Sequence, residues 1–187
     1  MDGRYAPGTL LPKEEAVSES FDVSRGTARE ALRALEERRV ARVKHGRGAI
    51  VQPPEEWNVL DPAVAASLSR GRRRRRFADE VGELRRLLHV AAAGLAAERA
   101  TAPQRAAIEQ ASARMAQEAD PALARRRLWT SVATAAGNRP LGATLRTLAE
   151  LDAGAVERGA PDAYAELGAA IAGADVAAAR AAATRVG

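Results

Sequence analysis

Residues 23–35 read VSRGTAREALRAL and predict a helix that begins beside a hydroxyl side chain. Ser24 suits the N-cap position, because its oxygen can accept a hydrogen bond from an otherwise unpaired amide of the first turn. Arg25 and Arg29 lie four residues apart, so both project from one face of this helix. We expect the helix to run to about Arg38, with an inner face made of Ala28, Ala31, Leu32 and Leu35.

The segments on either side of this helix complete a recognisable order. Residues 13–21 predict a preceding helix, in which Val17 and Phe21 form one apolar face. Residues 40–43 and 49–51 predict two short strands joined by a glycine-containing turn, which is the pattern of a β-hairpin. Helix, turn, helix and hairpin is the order of a winged helix-turn-helix, whose second helix enters the major groove of DNA.

The charge distribution points to the same part of the chain. The formal net charge is +5, and all of the excess lies in residues 1–76, since residues 77–187 carry equal numbers of basic and acidic side chains. The absence of cysteine excludes disulfides and thiolate chemistry. The sequence contains no run of about 18 apolar residues and no signal-peptide pattern, so we expect a cytoplasmic protein with no membrane partner.

The rest of the chain divides by composition. We assign residues 1–54 to the winged helix-turn-helix, residues 55–76 to a linker and residues 77–187 to a helical domain. In the linker, Asp61 is expected to cap a short helix from about Pro62 to Ser69. The arginine-rich run 70–76 is interpreted either as a solvated linker or as a further phosphate-contacting segment.

Residues 77–187 are rich in alanine, the residue with the highest helix propensity. Prolines, glycines and acidic residues at regular breaks predict an antiparallel bundle. Its expected helices are Phe77–Ala100, Pro103–Glu118, Pro121–Ala136, Pro140–Arg158, Ala160–Ala172 and Asp175–Arg185. The fold class is therefore mainly α, with a winged helix-turn-helix followed by a helical bundle.

The amino-terminal pattern resembles the DNA-binding domain of the GntR family of transcription factors. The resemblance rests on three motifs, namely Tyr5-x-Pro7-Gly8-x-x-Leu11-Pro12-x-Glu14, residues 23–35 and His45-Gly46-x-Gly48. Further landmarks resemble the FadR-like branch, which has an FCD effector domain. They are Trp57–Pro62, Glu83–Arg85, Ala96–Ala100, Ala135–Asn138 and the segment from Ala170 to Asp175.

The resemblance implies which residues contact an operator. Those implied are Arg25, Gly26, Thr27, Arg29, His45 and Gly46, with Arg33 and Lys44 as possible phosphate contacts. Arginine can donate to guanine O6 and N7 together, and a glycine lets a helix N-terminus approach phosphate. The alternative for Arg25 and Arg29 is a solvated helix face paired with Glu30 or Glu36, and for His45 a simple turn residue.

Two departures from the family pattern affect the amino-terminal domain. Most relatives have a complete helix before the position of Tyr5, so its apparent truncation here should expose apolar surface. Relatives also usually have arginine where this chain has Glu15, and an acid at that position should repel phosphates.

A third departure affects the helical domain. FCD domains commonly hold a divalent metal through one aspartate and three histidines, but the matching positions here are Arg125, Trp129, Tyr164 and about Val186. We therefore expect no metal cofactor. If they face inward, Arg85, His89, Arg125, Trp129 and Tyr164 would form a cationic, partly aromatic effector pocket for a carboxylate or phosphate. The alternative is that the aromatic residues fill the vacated cavity and that no effector binds.

The sequence thus predicts a DNA-binding transcriptional regulator, most simply a homodimeric repressor of a palindromic operator that is released by a small acidic metabolite. The alternative is a degenerate relative that dimerises or binds a small molecule and binds DNA weakly. No set of nucleophile and base suggests an enzyme.

Overall fold

The computed structural model describes residues 5–44, 48–70, 73–151 and 160–186. The chain divides into two compact units, residues 1–74 and 75–187, and each is described by itself. The first unit thus includes most of the segment 55–76, predicted as a linker. None of the described helices has both the length and the apolarity needed to cross a membrane.

The first unit has the predicted order of elements. Two helices, α1 (Glu14–Phe21) and α2 (Arg25–Glu37), are followed by strands β1 (Ala41–Lys44) and β2 (Gly48–Val51). The strands pair antiparallel, with Ala41 opposite Val51 and Lys44 opposite Gly48. A 3-10 turn (Pro54–Glu56) and helix α3 (Pro62–Leu68) complete the unit.

Local chemistry explains the two helix boundaries in the helix-turn-helix. Helix α1 ends because Asp22 adopts a left-handed conformation, with φ of 51°. Helix α2 begins at the predicted cap, since the Ser24 Oγ atom accepts a hydrogen bond from the Thr27 amide at 3.1 Å. The sharp turn between these boundaries brings α1 against α2.

The predicted apolar faces of α1 and α2 are only partly correct. Ala28 is fully buried, and Leu32 and Leu35 are half-buried, but Ala31 is exposed. Phe21 is 69% exposed whereas Val17 is half-buried, so the expected apolar face of α1 is only partly covered. Leu10 and Val43 are also at least half exposed, and the first unit therefore presents apolar side chains on its surface.

The segment after the hairpin is fixed to the first unit by hydrogen bonds. The Trp57 Nε1 atom donates to the Gln52 carbonyl at 2.8 Å, and the Arg38 Nε atom donates to Asp61 Oδ1 at 2.9 Å. Asp61 caps α3 as predicted, because its side chain accepts from the amides of Ala63 and Val64.

The second unit is helical, as predicted. Its described helices are α4 (Arg74–Arg99), α5 (Ala102–Ala113), α6 (Pro121–Ala135), α7 (Arg139–Leu151), α8 (Pro161–Ala172) and α9 (Val176–Val186). One of the sequence-based bounds was wrong, because helix α5 ends at Ala113 and is followed by a 3-10 turn, Met115–Gln117. Helix α7 is described as far as Leu151, and its expected continuation to Arg158 lies outside the described residues.

The arginine-rich run also differs from the linker interpretation. Arg74, Arg75 and Arg76 lie in the first turn of α4, where Arg76 pairs with Glu80 one turn later. An i, i+4 ion pair and the good helix propensity of arginine favour extending the helix into this run.

The core of the second unit is built largely from alanine, which allows helices to approach closely. Helices α5 and α8 lie close together at Gly168, where an added Cβ atom would lie 2.6 Å from the Ser112 Cβ atom. The larger core side chains include Ile108, Leu128, Leu148, Leu167 and Ile171.

Candidate nucleic-acid interface and buried polar cluster

Helix α2 presents three arginines along one exposed face. The side chains of Arg25, Arg29 and Arg33 are 71%, 66% and 67% exposed, and each lies four residues after the one before. The buried Ala28 fixes α2 within the domain from another side of the helix. The predicted DNA-contacting arginines are therefore held on a fixed helix and are accessible to a large partner.

Each of these α2 arginines is paired with a carboxylate. The Arg25 Nη2 atom lies 2.5 Å from Glu15 Oε1, and the Arg33 Nε atom lies 3.2 Å from a Glu37 carboxylate oxygen. Arg29 makes three contacts of 3.0–3.1 Å with Glu14, through its Nε and Nη2 atoms.

The alternative prediction that Arg25 and Arg29 pair with Glu30 or Glu36 was wrong. The turn between the helices brings the first turn of α1 across α2, so the acids of α1 lie closer than those of α2 itself. Glu36 accepts a hydrogen bond from the Val43 amide at 3.3 Å instead.

The ion pair between Glu14 and Arg29 stabilises the ionised form of both side chains. The hydrogen bond from Arg29 lowers the pKa of the Glu14 carboxyl below its ordinary value of 4.5. The same hydrogen bond raises the pKa of the Arg29 guanidinium. Both groups therefore remain ionised throughout the physiological pH range, and a phosphate that approaches Arg29 meets a neutralised arginine.

The remaining predicted contacts lie beside the beginning of α2 and at the wing. Gly26 is exposed, and a Cβ atom added there would meet only the Ser24 Oγ atom, at 3.6 Å. The Thr27 hydroxyl lies 2.9 Å from the same oxygen, and Lys44 is exposed at the end of β1. His45 and Gly46 lie outside the described residues.

The sequence-based reasoning missed the role of Glu14 and the direct pairing of Glu15. The signal that could have found them is a doublet of acids in the first turn of one helix, followed by arginines spaced four apart in the next. Such a doublet can neutralise the second helix when a short turn joins the two.

A second constellation lies inside the helical unit and is called here the buried polar cluster: Arg85, His89, Trp129 and Tyr164. These side chains are only 7%, 4%, 7% and 2% exposed. The rings of His89 and Trp129 stack with centroids 3.6 Å apart and planes inclined by 1°. Arg125, the fifth predicted effector residue, is half-buried on α6.

Two ring nitrogens of this cluster lack hydrogen bonds within the described structure. The His89 Nδ1 and Trp129 Nε1 atoms are both buried and contact no described hydrogen-bond partner. Burial lowers the pKa of His89 to about 3, and the neighbouring Arg85 charge adds to this effect. His89 is thus neutral at physiological pH, while the indole N–H can only donate.

The chemistry of this cluster suits a hydrogen-bond acceptor. Within the described ranges, no three His, Cys, Asp or Glu side chains are gathered closely enough to hold a metal ion. A guanidinium and an indole N–H are both donors, so an oxygen atom of a ligand would suit them.

Comparison with known proteins assigns the amino-terminal domain to a family. Residues 1–51 match the family described as "Bacterial regulatory proteins, gntR family". These residues are a GntR-family domain. The predicted family of the amino-terminal domain is therefore confirmed, and the exposed α2 arginines belong to this domain.

Curated relatives of the chain carry the same kind of domain. The galactonate operon transcriptional repressor of Escherichia coli (strain K12) is 39% identical over 109 residues, which are 58% of this chain and 48% of that protein. The uncharacterized HTH-type transcriptional regulator Rv0494 of Mycobacterium tuberculosis is 35% identical over 125 residues, 67% and 50% of the two chains. The chain spans about half the length of these curated relatives.

A solved structure supports the fold beyond the GntR-family domain. Streptococcus agalactiae GntR matches with a TM-score of 0.51 and 24% identity over 96% of this chain and 87% of that one. The match shows that a winged domain followed by a helical domain is a known arrangement of elements.

Proposed function

We propose that this chain is a cytoplasmic, DNA-binding transcriptional regulator and not an enzyme. The observation that carries the proposal is the row of three exposed arginines on α2, set in a GntR-family domain. A helix-turn-helix places its second helix in the major groove, where arginine donates to the O6 and N7 atoms of guanine.

The proposed contacts follow from the position of each group on α2 or at the end of β1. Arg25 and Arg29 lie in its first two turns and are proposed to read bases. Arg33 and Lys44 are proposed to contact phosphates, since phosphate contacts need positive charge and little geometry. The beginning of α2, where Gly26 is exposed, adds a helix N-terminus to the proposed phosphate-binding surface.

Repression through a two-fold operator is the form of regulation that we propose. The E. coli relative is named as the repressor of an operon, and it is 39% identical over the matched 109 residues. A dimer of winged domains binds two half-sites about one helical turn apart, which requires a palindromic operator.

DNA binding is tested by fluorescence anisotropy with the duplex that lies upstream of the chain's own gene. Salt should be varied from about 50 to 200 mM, because affinity carried by phosphate contacts falls steeply over this range. Arg29→Ala is expected to weaken binding, whereas Arg127→Ala, an exposed arginine of the helical unit, removes the same charge and serves as the control. Equal binding by both variants would contradict the role of α2.

A second candidate function is sensing of a small acidic metabolite by the helical unit. It is favoured by the buried His89 and Trp129 nitrogens, which make no hydrogen bond with described residues. We propose that a ligand carboxylate accepts from Trp129 Nε1 and lies near Arg85, which supplies the positive charge. Arg125 and Tyr164 are proposed to line the same site.

We also propose that this site holds no metal. The positions that the FCD resemblance assigns to ligands carry Arg125, Trp129, Tyr164 and about Val186, and none of these offers a carboxylate or an imidazole. Metal analysis of the purified protein tests this proposal, since one tightly bound zinc or nickel ion per chain would contradict it.

Effector binding is tested by thermal shift against a panel of organic and sugar acids. An acid that binds should raise Tm in wild type and less in Trp129→Phe, which keeps an aromatic ring but loses the N–H donor. Arg126→Ala, an exposed arginine next to Arg125, is the matched charge control. If no acid raises Tm, the result would favour the degenerate alternative, which is a dimerising protein with an inert helical domain. The pairing of every α2 arginine with a carboxylate also favours this alternative.

A further inference from the structure

We propose that Glu15 favours contacts with bases over contacts with phosphates when the protein binds DNA. It does so by holding Arg25 in an ion pair in the absence of DNA. The inference rests on the proposed DNA-binding function and adds a specificity-determining residue to it. Its starting point is the contact of 2.5 Å between Arg25 Nη2 and Glu15 Oε1.

The pair is placed where DNA is proposed to bind. Arg25 is the first residue of α2, and Glu15 is the second residue of α1. Their side chains are 71% and 64% exposed, so neither is held by burial and the pair can respond to a partner. Glu15 therefore places a negative charge directly beside an arginine of the proposed DNA-binding surface.

The geometry of the pair leaves part of the guanidinium available. Glu15 engages Arg25 through Nη2 alone, whereas Glu14 engages Arg29 through both Nε and Nη2. A guanidinium has five N–H donors, so Arg25 can keep its contact with Glu15 while other N–H groups donate to a base. Arg29 has fewer donors free unless its pair with Glu14 opens.

This geometry affects phosphates and bases differently. A phosphate is itself an anion, so the Glu15 carboxylate repels it as it approaches Arg25. Binding then only exchanges the carboxylate for the phosphate as the partner of Arg25. Guanine offers two neutral acceptors, O6 and N7, which the carboxylate repels much less. Glu15 thus weakens sequence-independent binding more than base recognition, and the protein gains specificity at some cost in total affinity.

The test compares wild type with Glu15→Gln and Glu15→Arg. Glu19→Gln is the matched control, because Glu19 lies one turn later on α1, is exposed and makes no ion pair with a described residue. Affinity is measured for a random-sequence duplex and for a duplex selected from a random pool by the wild-type protein, each over a series of salt concentrations.

We expect Glu15→Gln to bind the random duplex roughly two- to fivefold more tightly, the range for one exposed charge–charge interaction. The slope of log affinity against log salt should steepen by about 0.9, because Arg25 becomes free to contact one additional phosphate. Affinity for the selected duplex should rise less, so the specificity ratio should fall. Glu15→Arg should extend each change in the same direction.

A double-mutant cycle separates this mechanism from general repulsion. In an Arg25→Gln background, Glu15→Gln should no longer steepen the salt slope, since the arginine that it releases is absent. The inference is overturned if Glu15→Gln matches Glu19→Gln in random-duplex affinity and slope, or if its effect persists without Arg25. Failure of the proposed function looks different, because then neither wild type nor any variant binds either duplex at low salt.

Discussion

His89 of α4 and Trp129 of α6 stack face to face in the core of the helical unit, with ring centroids 3.6 Å apart. The stack joins two helices that are distant in sequence through planar surfaces, while one ring nitrogen of each residue makes no hydrogen bond with a described group. A buried polar atom without a partner costs about 1–3 kcal/mol. This arrangement stabilises the helix packing through ring contact, and the two buried ring nitrogens oppose that gain.

Acid should destabilise the helical unit through His89. The pKa of this imidazole is about 3 in the folded chain, against an ordinary value of 6.5. Between these values the unfolded chain binds a proton that the folded chain does not, so lowering the pH favours unfolding. The contribution of His89 to the free energy of unfolding is fully present above about pH 6.5. It decreases by up to about 1.4 kcal/mol for each pH unit below that value.

Urea unfolding of wild type and His89→Phe between about pH 7.5 and 5 measures this effect, since most carboxyl groups remain ionised there. The phenylalanine ring keeps the stack but cannot titrate, so the pH dependence should be shallower in the variant. The chain's other histidine, His45, is present in both proteins and cancels in the difference. Identical slopes for the two proteins would contradict the prediction.

A single methyl group at the contact of α5 and α8 should be destabilising. The Cβ atom of Gly168→Ala would lie 2.6 Å from the Ser112 Cβ atom and 3.2 Å from the backbone of Glu109. Neither neighbour is the flexible end of a long side chain, so the helices must separate, at a cost of about 1–3 kcal/mol.

Gly142→Ala is the matched control for this substitution, because Gly142 is also a buried helical glycine. Its added Cβ atom would have no neighbour closer than 3.6 Å. It should stabilise the unit by about 0.5–1 kcal/mol, since alanine is the better helix former. The prediction fails if the free energies of unfolding of the two variants change in the same direction.

The elements of the fold were predictable where short-range chemistry decides them. The Ser24 cap and the Asp61 cap depend on side chains within three residues of the backbone groups that they bind, so the sequence contains the whole interaction. The FCD resemblance implied the candidate cluster that includes His89 and Trp129, whereas its burial and stacked geometry required the structure.

Long-range relationships could not be read in the same way. Glu14 and Arg29 are 15 residues apart, and their pairing depends on the angle between α1 and α2, which is set partly by the left-handed Asp22. The exposure of Ala31 and Phe21 depends on which element covers them, and hydrophobicity alone does not determine that. Segment ends such as Ala113 depend on packing more than on helix propensity.

Arg105 should contribute strongly to the stability of the helical unit. Its guanidinium donates to the carbonyls of Ala100 at 3.0 Å, Ile171 at 2.7 Å and Ala97 at 2.8 Å. These carbonyls lie at or near the carboxyl ends of α4 and α8, where helices leave carbonyl groups unpaired and attract positive charge. One side chain thus satisfies the ends of two helices.

Arg105→Ala should lower the free energy of unfolding by about 2–4 kcal/mol, as expected when charged hydrogen bonds to half-buried groups are lost. Arg105→Lys should have an intermediate effect, because one ammonium nitrogen cannot reach three divergent carbonyls. Arg127→Ala, which is exposed, should change stability by less than about 0.5 kcal/mol. Urea unfolding followed by Trp129 fluorescence, in a Trp57→Phe background, provides the measurement. Equal losses for Arg105→Ala and Arg127→Ala would show that the contacts to carbonyls are not stabilising.

Asp61 should couple the helix-turn-helix to the segment that follows the hairpin. Its Oδ1 atom accepts from the Ala63 and Val64 amides at 2.9 and 3.2 Å and from Arg38 Nε at 2.9 Å. Although burial raises the pKa of this carboxyl, the hydrogen bonds from Arg38 and the two amides lower it further, so its net pKa lies below the ordinary value of 3.8. The carboxylate form is therefore the one that the folded chain stabilises.

Asp61→Ala should destabilise the first unit by about 1–2 kcal/mol through loss of the cap, and Asp61→Asn by less, since an amide oxygen still caps a helix. Because the folded pKa is lowered, the advantage of wild type over Asp61→Ala is present above about pH 4 and disappears as the pH falls below it. Trp57 fluorescence in a Trp129→Phe background reports on this unit, because Trp57 donates to the Gln52 carbonyl nearby. An Asp61→Asn protein as unstable as Asp61→Ala would show that the Arg38 ion pair, and not the cap, fixes the beginning of α3.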